Sequence, residues 1–172
     1  MDAPNANPIE KMLWQCAPGV LALVCVLISL IPFGFVTHWL VFPALTLTAI
    51  YFWAINQPSL LPPVVIFFIG LLQDFLSGGP IGLWSFVYLV AYAAVLSQRN
   101  ILYAQPFPML WAGFLMMALM VGVILWLVGS FYYSQAINVV PILLQVMVTA
   151  LVYPVMNRIF RSVHHNINTS AA

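Results

Sequence analysis

Between residues 15 and 158 the chain passes through six apolar stretches in succession, near 15–33, 39–56, 60–77, 81–98, 107–130 and 137–158. Each comes close to the ~20 residues with which an α-helix crosses a hydrocarbon core about 30 Å thick. Only short connections separate them, with no soluble domain, long linker or low-complexity tract. Charged residues make up 4% of the chain against 65% apolar, where a soluble domain carries about 25% charged. Such a surface needs lipid as its solvent. The expected fold class is an all-α polytopic membrane protein, a six-transmembrane-helix bundle spanning residues 1–172 as a single transmembrane domain.

The few charges orient it. An even helix number puts both termini and the second and fourth connections on one side, and Lys11, Arg99, Arg158 and Arg161 all fall there. The positive-inside rule then predicts cytoplasmic N- and C-termini. Trp14, Trp39, Trp53, Trp84, Trp111 and Trp126 stand near span ends, where an amphipathic ring prefers the headgroup region, and Tyr103, Tyr132 and Tyr133 take border positions. With one basic residue and two acids, Met1 to Lys11 is no basic n-region of a signal peptide, so the first stretch reads as a retained helix. Ser59 is expected to cap the third helix, with Pro62 and Pro63 in its first turn and Pro106 and Pro108 opening the fifth. Pro43, Pro141 and Pro154 lie deeper and should bend their helices.

A net charge of +1 offers no basic field for nucleic acid. Cys16 and Cys25, on one helix, are too far apart to form a disulfide with each other and read as small apolar residues. His38, His164 and His165 are scattered, without the carboxylate or thiolate company of a metal site. No H-E-x-x-H, G-x-S-x-G or Walker A string occurs, so the chain reads as non-enzymatic and without a cofactor.

Asp74 is the one acidic residue within an apolar stretch, in the string GLLQDFLSGGPIG that starts at Gly70. A carboxylate near the membrane centre costs roughly 2.5–3.5 kcal/mol on insertion scales and less toward the surface, so it needs a partner, water or a role. It either binds a cation, a proton or a partner's charge, or accepts backbone N–H bonds from the Ser77–Gly82 turn and locks the third and fourth helices together. Gly78 and Gly79 permit positive φ, and Pro80 suits the start of the next helix. Trp84, Tyr88 and Tyr92 recur at four-residue spacing on the fourth helix, a stripe for packing, lipid contact or a partner. Gln145, Thr149 and Tyr153 do the same on the sixth, as interhelical hydrogen-bonding groups or ligand-lining ones. Ala118 and Gly122 form a small-xxx-small pair on the fifth.

From Tyr51 to Gln98 the chain resembles the rod shape-determining MreD family of bacteria, through Trp53 and Pro58, then Gly70-Leu71-Leu72 with Asp74, then Gly78, Pro80 and Gly82. Ile81 stands where that family usually has leucine. The resemblance implies a cytoplasmic (inner) membrane component of the cell-elongation, peptidoglycan-synthesising machinery. Implied partners are an MreC-like bitopic membrane protein and, with it, an MreB-like actin, a RodA-like glycosyltransferase and a class B penicillin-binding transpeptidase. It also implies a fold similar to the six-helix S components of energy-coupling-factor transporters. The expected role is a scaffold, with the Asp74–Gly82 turn and the aromatic face of Trp84, Tyr88 and Tyr92 as the partner contact. The alternative is an S-component-like transporter subunit, with Gln145, Thr149, Tyr88 and Tyr92 around a vitamin. An enzyme acting on lipid or peptidoglycan precursor would need an acid–base pair that the sequence lacks.

Overall fold

A computed structural model describes residues 8–29, 43–135 and 137–171, with side chains over 19–29, 43–135 and 137–162. Every regular element among them is helical: α1 (Pro8–Ser29), α2 (Leu45–Asn56), α3 (Pro63–Ser77), α4 (Leu83–Leu102), α5 (Phe107–Tyr132) and α6 (Val139–Ala171), with a 3₁₀ turn at Pro58–Leu60 between α2 and α3. The end of the first expected span, the beginning of the second, and the side chains of Lys11, Trp14, Cys16, His38, Trp39, His164 and His165 lie outside the described residues.

Prolines set several boundaries, not always as expected. Ser59 sits inside the 3₁₀ turn and makes no capping bond to α3. The helix opens at Pro63, and Pro62 before it is extended at φ −64° and ψ 154°. The residue preceding a proline is pushed out of the helical region, and a proline at the first position has no N–H to satisfy, so the start needs no serine cap. Pro106 likewise precedes α5 in extended conformation. Pro43 lies ahead of α2 instead of bending it, and Pro141 occupies the first turn of α6, where a missing N–H costs nothing. Pro154 is inside α6.

Packing follows from which helices are apolar all round. Every residue of α2 from Leu45 to Ile55 is buried, as befits a helix without a polar face. It lies against α1, α4, α5 and α6, while α3 pairs with α4 and α5 with α6. Around it Tyr51 meets Phe114 and Tyr153 edge-on at centroid distances of 5.4 and 5.8 Å, and Phe114 stacks on Tyr153 at 4.4 Å. Trp53 is fully buried there, so its ring belongs to the core rather than to a headgroup belt. Trp111 donates its indole N–H across to the Ala150 carbonyl of α6, and Trp126 donates to the Ile137 carbonyl in the α5–α6 connection.

The outer surface is also apolar. Met116, Leu119, Val123 and Leu127 of α5 and Met147 and Leu151 of α6 are exposed, a patch that a soluble monomer would not present to water. Phe107–Tyr132 and Val139–Ser162 are each long and apolar enough to cross a membrane. Arg99 and Arg161 stand at the same end of the bundle: Arg99 Nε donates to the carbonyl of Ile55 near the end of α2, and Arg161 lines a cavity with Asn56 of the same helix end.

The α5–α6 contact uses the small pair. Ala118 is buried, and a Cβ built on Gly122 would stand 3.1 and 3.2 Å from the side chains of Val146 and Ile142. A Gly122→Ile variant is therefore expected to part the two helices and cost about 1–3 kcal/mol by overpacking. Its melting temperature in mild detergent should fall by several degrees, and an unchanged value would mean that the pair is incidental.

Candidate functional site

The first turn of any helix leaves N–H groups without an intrahelical acceptor, and α4 cannot satisfy its own with a capping side chain, because its N-cap is Gly82 at φ +95°. Asp74 of α3 supplies the missing acceptor. Its Oδ2 accepts the N–H of Gly82 at 2.9 Å and of Ser85 at 3.4 Å, and its Oδ1 accepts the N–H of Trp84 at 2.9 Å. Leu83 N–H goes to the Pro80 carbonyl and Phe86 N–H to that of Gly82, which completes the first turn. The Ser85 hydroxyl lies 3.3 Å from Asp74 Oδ2 and 3.2 Å from the Phe67 carbonyl, so its proton serves one or the other. The carboxylate is 1% exposed and stands at the positive end of the α4 dipole, where an anion is stabilised.

Gly70 makes this reach possible. One turn before Asp74 and on the same face of α3, it touches the backbone of α4: a Cβ there would lie 2.4 Å from Ser85 Cα and 2.6 Å from Ser85 N. Gly78 closes α3 in the left-handed region at φ +68°, which together with Gly82 reverses the chain between the two helices. One donor to Asp74, the Gly82 N–H, lies in the Ser77–Gly82 turn as the sequence placed it, and the other two, of Trp84 and Ser85, come from α4 beyond that turn.

A second polar node sits beside the first. Gln73 Oε1 accepts the Tyr88 hydroxyl at 2.6 Å and the Thr46 hydroxyl at 3.4 Å, tying α3, α4 and α2 together. The node could have been found from Gln73 and Thr46, two more polar residues in apolar stretches. Tyr92 donates to the carbonyl of Pro58 at 3.3 Å. Tyr88 and Tyr92 are thus buried inside the bundle and Trp84 is half-buried, so the stripe of α4 faces its own neighbours and is not an open partner surface. Tyr88→Phe should cost about 1–2 kcal/mol by removing the shorter of the bonds to Gln73. A melting temperature equal to the parent's would show that the Thr46 hydroxyl suffices.

On α6, Thr149 accepts the N–H of Ala44 at 3.0 Å and donates to the Gln145 carbonyl, which binds α6 to the start of α2. Gln145 and Thr149 do line a cavity, but its volume is about 10 Å³, at most one water. Tyr88 and Tyr92 are not among its walls. The residues weighed for a vitamin site are therefore not brought together around a space that fits one, since such pockets run to about 300 Å³ or more.

Nor is Asp74 arranged for a cation. The groups that converge on it are donors bearing partial positive charge, the opposite of a cation's ligands. Its chemistry is that of a cap supplied by one helix to the next. Of the residues that carried the resemblance, Trp53 is buried in the core, Gly70 and Asp74 join α3 to α4, and Gly78 and Gly82 take the positive φ of the turn between them.

The family model described as rod shape-determining protein MreD matches residues 11–163. The chain belongs to the MreD family. Membership covers nearly all of α1 through α6 and not only the turn, and it makes this all-helical membrane protein a component of rod shape determination. The family's description is one of shape determination. Neither a curated protein nor a solved structure matches the chain, so the likeness of MreD to transporter S components rests here on resemblance alone.

Proposed function

We propose that the chain is a non-enzymatic scaffold and regulatory subunit of the bacterial cell-elongation complex, set in the cytoplasmic membrane by six helices with both termini in the cytoplasm. The observation that carries this reading is the use made of Asp74. The one carboxylate of the apolar stretches is consumed in joining α3 to α4, which fastens the hairpin and leaves no acid–base pair for catalysis or ion transport among the described side chains. The placement of Arg99 and Arg161 at one end supports the orientation, with the α3–α4 turn at the outer surface.

What such a bundle offers a partner is its rim. Phe75, Leu76 and Ile81 flank the turn and are exposed, so the partner contact moves from the buried aromatic stripe to these side chains. They suit the membrane helix of an MreC-like bitopic protein, through which an MreB-like actin, a RodA-like glycosyltransferase and a class B penicillin-binding transpeptidase are assembled.

The test is gentle detergent purification of the tagged chain from its native membrane, with mass spectrometry of the proteins retained. An MreC-like protein or the cell-wall synthases should be recovered, and Phe75→Glu with Ile81→Glu should release them. Recovery of an ATPase pair with a membrane coupling subunit would instead make the chain a transporter component.

A further inference from the structure

At the end of the bundle opposite the Asp74 turn lies a polar cavity of about 90 Å³. Its polar walls are Asn56 of α2, Tyr103 and Gln105 of the α4–α5 connection, and Tyr153, Asn157 and Arg161 of α6. Spacing explains the last three: four residues apart on one helix, they form a single row facing inward.

The row is polar where it is enclosed. Asn157 is 4% exposed and Tyr153 2%, yet neither the Asn157 amide nor the Tyr153 hydroxyl is among the fully buried side-chain atoms left without a partner, so what access they have is to the cavity they line. Polar side chains so nearly enclosed, yet open onto a cavity, call for a ligand or water within it. Arg161 adds a permanent positive charge and five donors in a planar fork suited to oxyanions. No carboxylate lines the cavity, and Asp74, the one acid among the described side chains, is saturated at the other end. The nearby C-terminal carbonyls of α2 would oppose an anion, but that of Ile55 is covered by Arg99.

We propose that this cavity binds the phosphate of an anionic phosphoester, through Arg161, Asn157 and the Tyr153 hydroxyl. The chemistry is common to an anionic lipid headgroup and to a soluble phosphate. Arg161 is exposed at its mouth, where a headgroup in the adjoining leaflet has direct access and where basic side chains concentrate anionic lipid.

The experiment takes the full chain in nanodiscs of equal phosphatidylglycerol and phosphatidylcholine and counts retained lipid by native mass spectrometry. In parallel, the chain in neutral detergent is dialysed against radiolabelled inorganic phosphate. Arg161→Gln, Asn157→Leu and, as control, Arg158→Gln are compared, each checked for parental melting behaviour; Arg158 is exposed and outside the cavity walls. Preferential retention of phosphatidylglycerol that falls at least tenfold in Arg161→Gln and Asn157→Leu but not in Arg158→Gln assigns the site to a headgroup. Phosphate binding without lipid preference, lost in the same two variants, assigns it to a soluble phosphate. Neither form of binding, or equal losses in all three variants, overturns the proposal.

Discussion

Asp74→Ala is expected to unfasten the α3–α4 hairpin. Three backbone N–H groups, of Gly82, Trp84 and Ser85, lose their acceptor together. A buried group left unsatisfied costs about 1–3 kcal/mol; the Gly82 and Trp84 bonds are part-buried and the Ser85 bond is long at 3.4 Å, so the total is about 2–3 kcal/mol, with the charge–dipole attraction lost besides. Asp74→Asn should fall between parent and alanine variant, because its amide oxygen still accepts while its NH₂ faces other donors. Thermal unfolding in mild detergent should rank parent, Asn and Ala in that order. In cells that depend on this chain, Asp74→Ala should abolish rod shape more completely than Leu71→Ala, which trims a half-buried apolar side chain one turn away. Equal behaviour of the Ala and Asn variants would mean that the charge does the work and the bonds do not; a parent-like Ala variant would remove Asp74 from the fold altogether.

Gly70→Ala tests the same junction with a single methyl. The added carbon would meet backbone atoms of Ser85 at 2.4 and 2.6 Å, and backbone cannot rotate away as a side chain can. The helices must separate by roughly an ångström, at about 1–3 kcal/mol for overpacking, and the separation lengthens the Asp74 bonds. Gly79→Ala is the control. It lies in the same string, but a Cβ there meets only the Ser77 hydroxyl at 3.9 Å. Gly70→Ala should therefore lower the melting temperature markedly and Gly79→Ala barely. If both are tolerated, the approach of α3 to α4 is looser than the structure shows.

These two residues also show how far the sequence could be read. Asp74 announces itself because an acid in an apolar stretch demands an explanation, and the candidate explanations, cap or ligand, were both available. Choosing between them required knowing which groups surround the carboxylate, and they turn out to be the N–H groups of α4. Gly70 stood out in the sequence only as part of the motif, with no physical demand of its own. A glycine in a helix reads as a weak point or a close approach, and only the position of Ser85 against it decides. Tyr88 and Tyr92 illustrate the opposite case: their spacing was legible, but the side of α4 on which the neighbours lie was not, and the face offered to a partner proved to be interior. Tyr153 was legible as the end of the Gln145–Thr149 stripe and Arg161 as an orienting charge, but that the stripe runs on through Asn157 to Arg161 into one cavity was not.

The sequence by itself determined that this protein is helical, that lipid is its solvent, and that its family is MreD. Those properties are additive along the chain: apolar length, scarcity of charge and a short string of motif residues each survive without knowledge of what touches what. Only the tertiary structure decided that α2 is central, that Gln73 rather than any partner answers Tyr88, and that one carboxylate closes a helix it does not belong to. In lipid the apolar faces of the helices look alike to one another and to the solvent, so the pattern of hydrophobicity cannot choose neighbours. That choice falls to the few contacts with direction and shape, the hydrogen bonds of Asp74, Gln73 and Thr149 and the notches at Gly70 and Gly122, which exist only once the helices are side by side.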